Sequence, residues 1–151
     1  MPSNISIIIF NNVKSIIIHI FICILCIYPF AFLWEAPDGI FIWMAIGIYT
    51  IANIFLYFIA GWIFLRETYR IIESVCSVIA LACLIIFIVL FSSNVNFLNF
   101  FTISFYPIGG VISNILFRIP YGAAEEKYIL ILPELLPSLC MWFGLKKKSF
   151  L

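Results

Sequence analysis

Charge is what this chain has least of. Of its 151 residues only 10% are Asp, Glu, Lys or Arg, against about 25% in an ordinary soluble domain. That leaves too little polar surface to solvate a globule, so lipid is the expected solvent for much of the chain. The single aspartate, Asp38, falls in a turn, which excludes a paired-aspartate site. The single histidine, His19, restricts general-base schemes. There is no Gly-rich phosphate loop and no G-x-S-x-G elbow. No segment between the apolar runs is long enough for a soluble catalytic domain. With a net charge of +1 and no large basic block, nucleic acid is not an expected partner. Cys23, Cys26, Cys76, Cys83 and Cys140 all lie within apolar runs, and an odd number so placed gives no disulfide framework.

What is present is apolar: 66% hydrophobic and 19% aromatic residues, with mean hydropathy +1.23. Abundant Ile, Phe, Asn and Tyr beside little Ala point to an AT-rich coding sequence, hence a low-GC bacterium. The clearest stretch runs from Gly39 to Leu65 and carries no charge until Arg66. It is long enough to cross a hydrocarbon core of about 30 Å. Trp43 and Trp62 are separated by about 28 Å of helix, which places one indole at each headgroup interface.

Upstream, Lys14 precedes an uncharged run from Ser15 to Trp34 containing Pro29, a residue expected to kink a helix or mark its last turns. A signal peptide is disfavoured because the apolar region exceeds about 15 residues and no small-x-small cleavage site follows cleanly. Glu35-Ala36-Pro37-Asp38-Gly39 reads as a tight turn. The first two spans therefore form an antiparallel hairpin with Lys14, Arg66 and Arg70 on one side, which the positive-inside rule places in the cytoplasm. In the linker that follows, Glu67, Arg70 and Glu73 would pair locally if helical. A third span is expected over 73–91, with Cys76, Ala80 and Cys83 as a small-residue face.

The second half is ambiguous. Phe97 to Phe117 is long enough to cross, but Pro107, Gly109 and Gly110 interrupt it. The last apolar run, Tyr128 to Leu145, ends in Trp142 and Lys146-Lys147-Lys148. The favoured fold is an all-α membrane bundle in one domain, with four transmembrane helices (14–34, 40–65, 73–91 and 128–145). The 97–117 stretch is then a broken re-entrant or interfacial element. Five spans, or a fourth span at 97–117 followed by an interfacial C-terminal run, are the alternatives.

Few polar residues need explaining. Glu134 lies about 9 Å of helix from Tyr128 and roughly 18 Å from Lys146, inside the apolar slab. A carboxylate there is costly unless paired, protonated or facing water. Glu134 with the Pro107-Gly109-Gly110 break would suit a proton- or cation-coupled site, since broken helices recur at transporter sites. The competing reading has Pro133 start a helix whose positive end suits a glutamate. His19, Cys23 and Cys26 fall within about a 60° arc of one helix face. Imidazole and thiolates make a copper or zinc site chemically conceivable, with a fourth ligand from another span. Packing is the plainer reading, and the C-x-x-C spacing is a weak redox signal. Tyr49, Asn53, Tyr57 and Gly61 form a polar, small stripe expected to face the bundle.

The expected function is that of a small, non-enzymatic, multi-pass plasma-membrane protein without a cofactor: an accessory, immunity-type or interaction subunit with both termini cytoplasmic. Its partners would be the bilayer and another membrane protein or itself. A small proton- or cation-coupled transporter is the alternative, and a metal- or thiol-dependent membrane enzyme a distant third.

Overall fold

The computed structural model describes residues 4–35, 40–68, 70–91, 100–105, 107–108, 131 and 133–148. Among them all regular structure is helical, with no strand. In chain order the helices are α1 (Asn4–Glu35), α2 (Ile40–Phe64), α3 (Ile71–Cys76), α4 (Ile79–Phe91) and α5 (Leu136–Lys148). The expected connections at 36–39, 92–96 and 118–127 lie outside the described residues.

Two helices are long and apolar enough to cross a membrane, through Ile5–Leu33 of α1 and Ile42–Phe64 of α2. Only 28% and 22% of their most apolar windows is buried within the protein. A core helix of a soluble domain would be mostly covered; here Ile17, Phe21 and Ile24 of α1 and Ile48, Ile51 and Phe55 of α2 face outward. Polar side chains face inward, with Asn11, Ser15, His19, Thr50 and Asn53 all buried. Such a distribution suits an apolar solvent.

The α1–α2 pair is antiparallel. Its cross-contacts, Asn11 with Arg66, Lys14 with Phe64, His19 with Tyr57 and Cys26 with Asn53, rise along one helix as they fall along the other. α1 begins at Asn4, ten residues before the expected 14, so the span continues through Asn11 and Asn12. Pro29 lies inside α1, one turn before its last buried contact at Leu33.

The expected 73–91 span is not one continuous helix. It breaks at Ser77–Val78, leaving α4 with 13 residues, whereas a straight crossing takes about 20. The cause is distant in sequence. The Asn12 carboxamide donates to the Cys76 carbonyl at 2.7 Å and accepts from the Ala80 amide at 2.9 Å. These two groups are one helical hydrogen-bond pair, so Asn12 has entered the ladder, a recognised cause of a sharp helix break. Ser77 adds to it by donating its hydroxyl back to Glu73 O at 2.8 Å. Asn11 does the same kind of work one residue earlier. It donates to Arg66 O and accepts from Arg66 N, both at 2.8 Å, where α2 has just ended. Residues 66–68 are non-helical, so the helical spacing expected to pair Glu67 with Arg70 does not arise. Cys83 is exposed and Cys76 and Ala80 are half-buried, so the expected small-residue face is not a packed interface.

The most extensive helix pairing is α2 with α5. Glycine permits it. A methyl group at Gly61 would overlap the Met141 backbone, and one at Gly144 would overlap the backbone of Phe58 and Trp62. Close backbone approach through small residues is how membrane helices gain packing without a hydrophobic drive. Trp142 Nε1 donates to Ser74 Oγ at 3.0 Å, so the middle of α5 lies beside α3.

Candidate functional site

Four buried side chains, His19, Tyr49, Asn53 and Tyr57, converge on one short segment, 100–105. Phe101 and Thr102 end a helical turn, and residues 103–105 form a turn whose Ile103, Ser104 and Phe105 are buried. These residues of the stretch expected to be re-entrant or interfacial sit against the middle of α1 and α2. A turn at that depth leaves carbonyls without helical partners, and each such group is expensive in an apolar medium. The stripe on α2 and the face on α1 supply the missing donors.

Tyr49 Oη donates to Ile103 O at 2.7 Å, and Asn53 Nδ2 donates to Ser104 O at 3.0 Å. His19 Nε2 lies 3.0 Å from Phe101 O. A carbonyl only accepts, so Nε2 carries the proton and neutral His19 presents a lone pair at Nδ1. Tyr57 Oη lies 2.8 Å from that Nδ1 and 3.2 Å from Ser104 Oγ. Tyr57 has one proton; given to Nδ1, it leaves the Ser104 hydroxyl to donate to Tyr57. The result is a continuous hydrogen-bonded run from Ser104 through Tyr57 and His19 to Phe101 O. The Tyr57 ring also stacks on Phe105 at 5.8 Å.

His19, Cys23 and Cys26 do lie on one buried face. Their heteroatoms diverge. Cys23 Sγ is 3.6 Å from His19 Nε2 and 3.8 Å from Phe101 O, while Cys26 Sγ donates to Asn53 Oδ1 at 3.1 Å. Both imidazole nitrogens are engaged, and no group of three His, Cys, Asp or Glu placed to hold a metal ion occurs among the described residues. All five cysteines are free thiols, so Cys23 and Cys26 are not bridged. A recess of about 440 Å³ between α1 and α2 reaches Cys26, Tyr49 and Asn53 from the outer side.

Glu134 is fully buried just before α5. Among the described residues neither of its carboxylate oxygens has a hydrogen-bond partner. It therefore receives no backbone N–H, and the helix-start explanation accounts for its position without accounting for its oxygens. Pro107 is half-buried in the helical turn at 107–108; Gly109 and Gly110 lie outside the described residues.

The residues that sequence reasoning passed over are Ser104, Thr102 and the tandem Asn11-Asn12. Two adjacent asparagines inside an apolar run were the available signal, since each needs partners at that depth.

No family model, curated protein or solved structure matches this chain. The functional reading therefore rests on the geometry.

Proposed function

We propose that this is a multi-pass integral protein of the plasma membrane that acts as a non-enzymatic accessory, immunity-type or interaction subunit. In this reading α1, α2, the broken α3–α4 pair and the α5 run make four crossings, with 100–105 belonging to a re-entrant element. Lys14 and Arg66 meet on the Phe10 ring, and α5 passes α3 at Trp142 on its way to Lys146-Lys147-Lys148; by the positive-inside rule that end is assigned to the cytoplasm.

One observation carries the non-enzymatic reading. The polar side chains at the centre are bonded to each other and to the carbonyls of 101, 103 and 104, and so serve to fasten a turn inside the bundle. Groups committed in this way are not poised for a substrate. Tyr57→Phe tests it. The ring packing is retained and the His19–Tyr57–Ser104 run is cut, so thermal stability in detergent should fall by about 1 kcal/mol. A variant that melts with the wild type would mean the centre is not a fastener.

A second reading, a proton-coupled protein, is favoured by Glu134 alone. A fully buried carboxyl whose two oxygens have no partner among the described residues is an arrangement for taking up a proton. Proteoliposomes under an imposed potential, with a pH dye inside, separate the two. The first reading expects no protein-dependent acidification. Acidification abolished by Glu134→Gln would replace it with the second.

A further inference from the structure

Lys14 is held at the mouth of a groove that runs between α1 and α2 on their outward faces. The groove encloses about 530 Å³ and is walled by Ile17, Phe21, Leu25, Leu56 and Ile59, with Lys14 as its one charged residue. Its volume falls within the range of ligand sites, about 300–1,000 Å³. From Lys14 to Leu25 it follows about 16 Å of helix, the depth of one leaflet of a hydrocarbon core about 30 Å thick. Lys14 Nζ donates to Phe64 O at 2.9 Å, which fixes the ammonium at the end of α2 and leaves it two further N–H donors. Beside it, Arg66 shares the Phe10 ring, with Cζ 4.7 Å and Lys14 Nζ 4.6 Å from the ring centroid. Neither cation has an ion-pair partner among the described residues.

An apolar slot one leaflet deep, capped by two uncompensated cations, has the chemistry of an anionic phospholipid in reverse. We propose that an anionic phospholipid occupies this groove, one acyl chain lying between α1 and α2 and its phosphate held by Lys14 and Arg66. The inference rests on the membrane reading above. Basic pockets at the cytoplasmic ends of membrane helices take anionic headgroups by the same attraction. The Arg66 backbone is clamped by Asn11, so its guanidinium can be changed without disturbing the chain path.

The test is lipid binding to the purified full chain in detergent, followed by native mass spectrometry. The probes are phosphatidylglycerol and phosphatidylcholine with identical acyl chains. Each basic residue near an anionic surface contributes about fivefold, so the wild type should prefer phosphatidylglycerol by roughly 30-fold. The double variant K14Q/R66Q should bind both lipids equally, and K14R/R66K, which keeps the charges, should retain most of the preference. Leu25→Trp, which fills the slot away from the charges, should weaken both lipids. Equal binding of both lipids by the wild type overturns the proposal and leaves the membrane reading intact. Binding unchanged by L25W overturns the acyl-chain placement. Recovery of the chain in the aqueous fraction of detergent-free carbonate-washed membranes overturns the membrane reading and the proposal together.

Discussion

At the scale of single residues the structure is governed by polar atoms that have no water to turn to. Asn12 shows the arithmetic. Its carboxamide meets the Cys76 carbonyl and the Ala80 amide, which would otherwise bond each other. Asn12→Ala removes these two bonds and a third, to the Ile8 carbonyl one turn back. The α3–α4 ladder can re-form across the gap and the Ile8 carbonyl belongs to the α1 ladder, so the expected cost is small, about 0.5–2 kcal/mol in a thermal melt. Asn11→Ala has no such escape. Arg66 N and O lie past the end of α2 and are not paired with each other, so their loss should cost more, about 2–4 kcal/mol from two orphaned groups. A melt in which N12A falls further than N11A would contradict this account. The sequence made part of this legible. Tyr49, Asn53 and Tyr57 recur every four residues, and that period alone turns them inward. What they bond was not legible, because a helix period gives direction and not the identity of a partner some 50 residues away. For Asn11 and Asn12 even the direction was missing, since adjacent residues share no face.

At the scale of elements, two glycines permit the close contact of α2 with α5. Gly61 of α2 lies on the Met141 backbone, and Gly144 of α5 lies on Phe58 and Trp62. Neither neighbour is a flexible side chain that could swing away. Gly61→Ala should therefore push α5 off α2 and destabilise by about 1–3 kcal/mol through overpacking. Gly47 is the control, sitting on the same helix with nothing within 4 Å of the added methyl. Gly47→Ala should be neutral or stabilising by up to about 1 kcal/mol from helix propensity. If both variants melt alike, the α2–α5 contact is looser than described. The two elements the sequence read most faithfully, α1 and α2, are those with long uninterrupted apolar runs. The break in 73–91 escaped because Ser77-Val78 carries neither glycine nor proline; its cause sits on another helix. Glu134 was legible as an anomaly, and its isolation was not, because an unpaired carboxyl and a capping carboxyl have the same local sequence.

At the scale of the whole molecule, the proposed orientation rests on where the cations gather. Lys14 and Arg66 share one ring, and α5 carries Lys146 toward the same end. Replacing Lys146, Lys147 and Lys148 with glutamine should loosen the orientation of α5, read as a C-terminal reporter appearing on both faces of intact cells. A reporter that stays wholly on one face would show that contacts with α2, not charge, hold this end. The antiparallel hairpin and the basic end were readable from composition, because hydropathy and charge act over whole spans. The burial of 100–105 was not, since it depends on donors from two other helices meeting one turn.

The asparagine pair also sets a schedule. Asn12 is joined to a partner 68 residues downstream. At about 5–20 residues per second, that partner is synthesised roughly 3–14 s after Asn12 itself. Through that interval Asn12 has only its local bond to the Ile8 carbonyl, and its bonds to Cys76 and Ala80 are still to be made. If α1 spans a membrane as proposed, the carboxamides of the pair need water or a sheltering partner until α4 is made. The final seat of the first helix is decided late, by the arrival of the fourth.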